Sequence, residues 1–160
     1  MDNSFYSNQN WQENSRAAHR WAVKAAERGD AIAQCILGYI YSKTNDAVEK
    51  DGEKAFAYYM KSARQGCAYA QYNVGMICQS RPDVSFEWHM KAAVQGLDWA
   101  QFFVGEFYYR GSEYIKRDYA LALEWYLKAA AQGHHPSETM VGEIYYYGRG
   151  VEQDTETAHE

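Results

Sequence analysis

The chain has 160 residues, of which 47% are apolar and 16% aromatic, and its formal net charge is −5 at pH 7. This composition is too apolar for a disordered chain, and the mild negative charge disfavours a nucleic-acid binder, which normally presents a basic face. No apolar segment approaches the roughly 20 residues that span a bilayer, and residues 1–14 lack the pattern of a secretory signal. We therefore expect a cytoplasmic protein without a membrane span.

The first predicted helix covers residues 15–29 and ends in the phrase WAVKAAERG. Three later phrases have the same form: YYMKSARQG, WHMKAAVQG and WYLKAAAQG. Alanine pairs favour a helix, and a glycine commonly supplies the left-handed residue that ends one. We call each helix of this type helix B. The glycines that close them are spaced by 37, 30 and 37 residues and mark an internal repeat: Gly29, Gly66, Gly96 and Gly133.

A second type of helix, helix A, begins two or three residues after each of these glycines. Each helix A carries a glycine nine residues after the closing glycine, at positions 38, 75, 105 and 142. A glycine inside a helix costs up to about 1 kcal/mol relative to alanine. We expect close approach of a neighbouring aromatic side chain or backbone to offset this cost. In the first repeat, Ala33, Leu37 and Tyr41 fall on one face and predict the buried stripe.

The connection from helix A to helix B varies in length. From the glycine of helix A to the aromatic residue before the lysine of helix B, the spacing is 20, 13 and 20 residues, so the second repeat lacks seven residues, in the region where SRPD stands in place of SKTNDAVEKD. Because the connection from helix B to the next helix A keeps a constant length, we expect it to carry the geometry of the stack. Four aspartates recur where helix B should begin, and we interpret them as N-caps: Asp51, Asp83, Asp118 and Asp154.

The cysteines and histidines give little support for catalysis. An odd count of cysteines, Cys35, Cys67 and Cys78, is a poor disulfide framework, so we expect three reduced thiols, with Cys35 exposed. His134 and His135 lie near Glu138, but adjacent residues do not share a helix face, which favours a polar turn over a metal site. We predict no catalytic residue, no cofactor and no metal.

The repeated phrases resemble the Sel-1-like repeat family, a relative of tetratricopeptide repeats. Its pattern is roughly A-x-x-x-L-G-x-x-Y followed by G-x-G-V-x-x-D-x-x-x-A-x-x-W-Y-x-K-A-A-x-x-G. The third full repeat matches at Ala100, Val104, Gly105, Tyr108, Gly111, Asp118, Ala122, Trp125, Tyr126, Lys128, Ala129, Ala130 and Gly133. The departures are the short second repeat and Cys78, which stands where the family has tyrosine.

The resemblance implies an all-α fold, a right-handed α/α superhelical solenoid. We expect a single repeat domain over residues 1–160, with a leading helix B at 15–30, repeat 1 at 31–66, a short repeat 2 at 67–96, repeat 3 at 97–133 and a partial repeat 4 at 134–160. It also implies a non-catalytic scaffold or adaptor with protein partners. Two alternatives remain: an immunity protein that neutralises a bacterial toxin, or a β-lactam-binding or hydrolytic enzyme. The secreted members linked to β-lactams carry a disulfide within each repeat, which this chain lacks.

In tetratricopeptide-type stacks helix A lines the concave surface. Alignment on the glycines predicts a groove that binds a partner protein or peptide and is rich in the residue types of interface hot spots. The alternative is that several of these aromatic residues pack between repeats as core. The predicted groove residues are Ile32, Cys35, Tyr39, Tyr69, Tyr72, Met76, Gln79, Trp99, Phe102, Glu106, Tyr109, Arg110, Glu143, Tyr146 and Tyr147. The incomplete last repeat also suggests an end-to-end homodimer that would cover its apolar face.

Overall fold

The computed structural model describes residues 4–43 and 49–151, with side chains from residue 16 onward. Within those residues every regular element is a helix, as the sequence predicts. The predicted cap Asp154 lies outside the described residues. The helices are α1 (Ser4–Glu27), α2 (Ala31–Ser42), α3 (Gly52–Arg64), α4 (Ala68–Ile77), α5 (Pro82–Ala93), α6 (Asp98–Arg110), α7 (Tyr119–Ala130) and α8 (His135–Tyr147).

The chain divides into two compact units, Met1–Val74 (unit 1) and Gly75–Glu160 (unit 2). In unit 1, α2 packs against α1 and α3, and the core includes Ala22, Ala26, Ala33 and Leu37. In unit 2, α6 packs against α5 and α7, and α7 packs against α8 around Ala122, Leu123, Tyr126 and Ile144. Each unit is therefore built from neighbouring helices that share an apolar face.

The leading helix differs from its predicted extent. Helix α1 begins at Ser4 rather than at residue 15, so residues 4–14 continue the same helix. No described helix combines the length and the apolar character that crossing a bilayer requires.

The junctions from helix B to helix A all have one geometry. The four closing glycines have φ between 80° and 96°. After Gly29, the amide of Asp30 donates to the carbonyl of Ala25 at 3.2 Å, and the amide of Gly29 donates to Ala26 at 3.0 Å, the pair of bonds that defines a Schellman motif. The same pair recurs after Gly66, Gly96 and Gly133. The predicted helix ends are confirmed.

The residue after each closing glycine also begins the next helix. Asp30 accepts a hydrogen bond from the amide of Ala33 at 2.7 Å, and the side chain of His134 accepts one from Ser137. One residue thus completes the end of helix B and starts helix A. Because the same residue serves both helices, an added residue would disrupt one of them, which explains the constant length of the junction.

Three of the glycines inside helix A lie directly under aromatic rings, as predicted. A Cβ at Gly38 would lie 2.6 Å from the ring of Tyr59, and one at Gly105 would lie 2.7 Å from Tyr126. In the short repeat the ring over Gly75 is that of His89, at 2.8 Å. Since alanine cannot fit under these rings, close packing accounts for glycine at these three positions.

The predicted N-caps of helix B divide into two groups. Asp51 accepts from the amide of Lys54, and Asp118 accepts from the amide of Leu121, both at 3.0 Å. The prediction for Asp83 is wrong. The short connection places Pro82 first in α5, so Arg81 occupies the cap position and Asp83 lies within the first turn.

The deletion falls where the sequence predicts it, between helix A and helix B of the second repeat. Residues 78–81 join α4 to α5, whereas residues 111–118 join α6 to α7. In the longer connection, the side chain of Ile115 is buried and the amide of Asp118 returns to the carbonyl of Tyr108 at 2.8 Å. The connection from α4 to α5 therefore has four residues, half as many as the connection from α6 to α7.

Cys35 is buried, with only 8% of its surface exposed, so the exposure predicted for its thiol is wrong. Its side chain is hydrogen-bonded to that of Cys67, the residue that precedes α4. The apolar stripe of a single helix does not indicate this contact, because the covering residue comes from the next repeat.

Candidate functional site

The helix-A face of unit 1 carries large apolar side chains in solvent. Ile32 is 69% exposed, and Tyr39 and Tyr69 are about half exposed. The rings of Tyr69 and Tyr72 lie 6.2 Å apart between centroids. Apart from Cys35, the predicted groove residues of this unit therefore reach the surface wholly or in part.

In unit 2, Trp99 is the largest aromatic side chain on the face of α6, and 45% of its surface is exposed. Its ring meets that of the buried His134 edge-on, with 4.4 Å between centroids. Phe102 packs against both His134 and Tyr126, at 5.2 and 5.7 Å. Trp99 is therefore supported on one side by packed rings while its other side is open to solvent.

Glu106 connects this face to the core. It accepts a hydrogen bond from the hydroxyl of Tyr126 at 2.7 Å and pairs with Nη2 of the exposed Arg110 at 2.7 Å. Burial raises the pKa of Tyr126 well above its ordinary value, and the hydrogen bond to the Glu106 carboxylate raises it further. The phenol is therefore a permanent donor that fixes the position of the Glu106 carboxylate.

A second network joins α6 to α8. The hydroxyl of Tyr109 donates to Oε1 of Glu143 at 2.8 Å, and Nη1 of Arg149 bonds to the same oxygen at 2.9 Å. The Arg149 guanidinium lies over the rings of Tyr109 and Tyr147, at 5.4 and 4.9 Å from their centroids. Arg149 was not among the predicted groove residues, because it follows α8 and therefore lies outside the helix-A segments.

The exposed end of this network forms an open depression of about 590 Å³. Tyr146 and Tyr147 meet edge-on with their centroids 5.0 Å apart, and 58% of Tyr147 is exposed. The depression combines aromatic rings with fixed charges of both signs; it is lined by Glu138, Thr139, Gly142, Glu143, Tyr146, Tyr147 and Arg149.

A separate cavity of about 380 Å³ lies beside α5 and α6, where the connection is shortened. The buried ring of His89 stacks on Phe103 at 4.8 Å. Burial lowers the pKa of His89 to about 4, so the imidazole is neutral at neutral pH. Gln79, Glu106 and Arg110 also line this cavity, and Gln79 donates to the sulfur of Met76 at 3.5 Å.

The two adjacent histidines have different partners. Nδ1 of His134 lies 2.9 Å from the hydroxyl of Ser137 within the turn that begins α8, whereas Nδ1 of the exposed His135 lies 2.8 Å from Oε2 of Glu138. Burial lowers the pKa of His134, although the nearby carboxylates of Asp98 and Glu138 act in the opposite direction. In the part of the chain that the structure describes, no three His, Cys, Asp or Glu side chains are grouped to hold a metal.

A polar feature of the helix junctions was not predicted from the sequence. The glutamine of each AQ pair is buried, and its side-chain amide donates to a backbone carbonyl near the end of the preceding helix B at 3.2 Å. The three glutamines are Gln34, Gln71 and Gln101. The recurring AQ in AIAQ, AYAQ and DWAQ was the available signal. These side chains fix the junctions and leave the exposed face to the aromatic residues.

These features define a helical repeat protein in which paired helices expose aromatic side chains on the helix-A face of each unit. A family model for the Sel1 repeat matches residues 12–30, 31–67, 68–96, 100–134 and 135–160. The chain belongs to the Sel1 repeat family. A search of curated proteins found no match.

Solved structures agree with this assignment. The chain is 39% identical to a protective antigen of uropathogenic Escherichia coli that displays an SLR fold, with a TM-score of 0.80 over 88% of this chain and 31% of that one. It is 28% identical to a Sel1 repeat protein from Oxalobacter formigenes, with a TM-score of 0.80 over 89% of this chain and 60% of that one. The predicted all-α solenoid fold class is confirmed. The chain spans less than two thirds of the length of either relative.

A further similarity is to an immunity protein of Pseudomonas aeruginosa. The two chains are 25% identical, with a TM-score of 0.59 over 88% of this chain and 53% of that one.

Proposed function

We propose that this protein is a non-catalytic scaffold that binds a partner protein or peptide through helix-A residues. The site is the face of α6 and α8 in unit 2. The observation that carries the proposal is that exposed aromatic rings on these helices are held by buried or charged neighbours, Trp99 by His134 and Tyr147 by Arg149. Trp, Tyr and Arg are the residue types that contribute most often to binding hot spots.

The hydrogen bonds behind this face support the proposal. Tyr109, Glu143 and Arg149 are already joined in the free protein, so a partner need not order them on binding. Side chains that are held in place before association lose less conformational entropy, and that cost is about 0.5–1.5 kcal/mol for each mobile side chain. A fixed aromatic face with charges of both signs suits a polypeptide segment that offers apolar side chains and hydrogen-bonding groups.

The test begins with affinity capture, identification of captured proteins by mass spectrometry, and purification of the partner. Calorimetry then compares the wild-type chain with Trp99→Ala and with Tyr147→Ala. We expect each substitution to weaken binding at least tenfold, the effect of losing about 1.4 kcal/mol at a hot spot. Circular dichroism should show the same helix content in each variant.

Tyr114→Ala is the matched control, because Tyr114 is an aromatic residue that is 65% exposed but lies in the connection between α6 and α7. This variant should bind with wild-type affinity. If the Trp99 and Tyr147 variants bind the partner with wild-type affinity, the binding surface does not include these faces of α6 and α8.

The similarity to the immunity protein favours a second candidate, in which the partner is a bacterial toxin. Co-expression with a toxin encoded beside this chain should restore growth of the host cell, and the Tyr147→Ala variant should protect less well. Full protection by both Trp99→Ala and Tyr147→Ala would show that any toxin is bound elsewhere.

We also propose a cytoplasmic location, which the three free thiols support, because stable disulfides are rare there.

A further inference from the structure

Two of the three cysteines meet at the junction between the first two repeats. Cys35 lies within α2, and Cys67 immediately precedes α4. Their side chains are hydrogen-bonded to each other, although 31 other residues separate them in the chain. Both belong to unit 1. The sequence offered no sign of this pair, since spacing alone does not reveal which helix A residue meets the start of the next repeat.

The surroundings of Cys67 favour its thiolate. The residue occupies the position that begins α4, and its carbonyl accepts the amide of Gln71 at 3.0 Å. Burial raises the pKa of Cys67, but hydrogen bonds to its sulfur, led by the one from the Ala70 amide, outweigh burial, and the pKa is lowered. A thiol beside the first amides of a helix commonly has this property.

The surroundings of Cys35 have the opposite effect. Burial raises the pKa of Cys35 to about 12, and the neighbouring charge of Cys67 adds to the increase. Its surface is 8% exposed, whereas Cys67 is only partly buried. The pair therefore combines one accessible thiol that ionises readily with one covered thiol that stays protonated.

We propose that Cys67 and Cys35 form a peroxide-sensitive modification site, in which Cys67 is the attacking cysteine and Cys35 the resolving cysteine. The Cys67 thiolate attacks one oxygen of a hydroperoxide, an S–O bond forms, the O–O bond breaks and hydroxide or alkoxide leaves. The Cys35 sulfur then attacks the sulfenic sulfur, the S–S bond forms, the S–O bond breaks, and water leaves with the proton of Cys35. The two thiols supply the two electrons that reduce the peroxide.

The product would join α2 covalently to the start of α4. Two non-covalent contacts already cross from α2 to the end of helix B that precedes α4: the Ser62 hydroxyl donates to the carbonyl of Ala31 at 2.6 Å, and the Gln65 amide donates to Oε1 of Gln34 at 2.8 Å. The disulfide would lock this junction in the arrangement that these bonds already favour. Oxidation should therefore raise the resistance of the chain to thermal unfolding.

The experiment uses the reduced full-length chain and hydrogen peroxide, followed by intact mass measurement and peptide mapping without reductant. We expect a loss of two hydrogen atoms and a peptide that links Cys35 to Cys67. Cys78→Ser is the matched control, because Cys78 is also partly buried but follows α4 instead of preceding it. This variant should form the same disulfide at the wild-type rate.

The single variants separate the two roles. Cys35→Ser should stop at a sulfenic acid on Cys67, which dimedone traps, and Cys67→Ser should leave Cys35 reduced. Circular dichroism checks that each variant is folded, and Cys35→Ala replaces Cys35→Ser if the buried hydroxyl prevents folding. A disulfide that involves Cys78, a bond between two chains, or equal reactivity of Cys67 and Cys78 towards peroxide would overturn the proposal.

Discussion

The ring of Tyr126 lies against the backbone of α6 at Gly105, and its hydroxyl donates a hydrogen bond to the side chain of Glu106, the next residue of that helix. Tyr59 makes the same approach to Gly38 in the first repeat. Each ring is almost completely buried, so the helix pair depends on one glycine and one aromatic side chain from elements about twenty residues apart. The helix propensity lost at the glycine is recovered by the burial of a large ring, which stabilises by roughly 1.5–3 kcal/mol.

Replacement of Gly105 by alanine should destabilise the fold by about 1–2 kcal/mol. The new Cβ would lie 2.7 Å from Cε1 of Tyr126 and displace the ring, at a cost that exceeds the gain in helix propensity. Urea unfolding measures the difference. Gly52→Ala is the control, since a Cβ at Gly52 meets nothing within 4 Å, and its stability should be unchanged or slightly raised. Equal effects of the two variants would contradict the packing argument.

His89 takes the place of these tyrosines in the short repeat, and it should make stability depend on pH. Its pKa falls from 6.5 to about 4 on burial. Between these values the unfolded chain binds a proton that the folded chain does not, so stability decreases as the pH drops from about 6.5 to 4. The full loss from this group is at most about 3 kcal/mol.

Urea unfolding from pH 7 to pH 4 tests this expectation. His89→Tyr, which copies the residue of the other full repeats, should show a smaller loss of stability over that range. Carboxylates titrate in both proteins, so the difference between the two curves is the measured quantity. Parallel curves would show that His89 does not contribute.

At the scale of the helix, different residues begin helix B in different repeats. Asp118 supplies an oxygen to the amide of Leu121, whereas in the short repeat Pro82 begins α5 and Asp83 caps nothing. A proline at the first helical position has no amide to satisfy, so the helix can start without a side-chain acceptor. Aspartates at similar places in the repeat therefore have different roles.

Asp118→Ala should cost about 1 kcal/mol, because it leaves the amide of Leu121 without its side-chain acceptor. Asp118→Ser, which keeps an oxygen at the cap, should be close to wild type. Asp83→Ala should cost less than Asp118→Ala, since only its interaction with the helix dipole is lost. Chemical denaturation distinguishes these outcomes. A larger loss for Asp83→Ala would mean that α5 begins at a different residue.

The sequence predicted most elements but only part of the candidate site. The apolar period of helix A predicts that Ala33 and Leu37 are buried, and the repeated phrase predicts the closing glycines. Both patterns depend on the geometry within one repeat. Cys35 was misassigned to the exposed face because its covering residue, Cys67, belongs to the following repeat. Arg149 was missed because it lies after α8 and reaches back over two tyrosine rings.

At the scale of the whole molecule, each compact unit contains its own version of the glycine–aromatic contact. Gly38 and Tyr59 belong to unit 1, and Gly105 and Tyr126 belong to unit 2. Three expectations stay predictions: the binding of a partner by the helix-A faces, the single domain over residues 1–160 and the end-to-end homodimer. Residues 152–160, which the dimer hypothesis invokes, lie outside the described residues.

The double variant Gly38→Ala/Gly105→Ala should be destabilised by the sum of the single effects, within about 0.5 kcal/mol. A different ring lies over each glycine, Tyr59 over Gly38 and Tyr126 over Gly105, and repeat stability is approximately additive over repeats and their interfaces. Urea unfolding with a check for two-state behaviour provides the measurement. A double variant much less stable than the sum would reveal coupling between the two contacts.

The sequence by itself determined the family, the alternation of helices, the ends of each helix B and the location of the deletion. These properties depend on residues close together in the chain, where glycine, alanine pairs and apolar period act locally. Only the tertiary structure decided which ring lies over each glycine, that Cys35 meets Cys67, and that Arg149 joins Glu143 to the rings of α6 and α8. Such contacts join residues from different elements, and local sequence patterns do not encode their pairing.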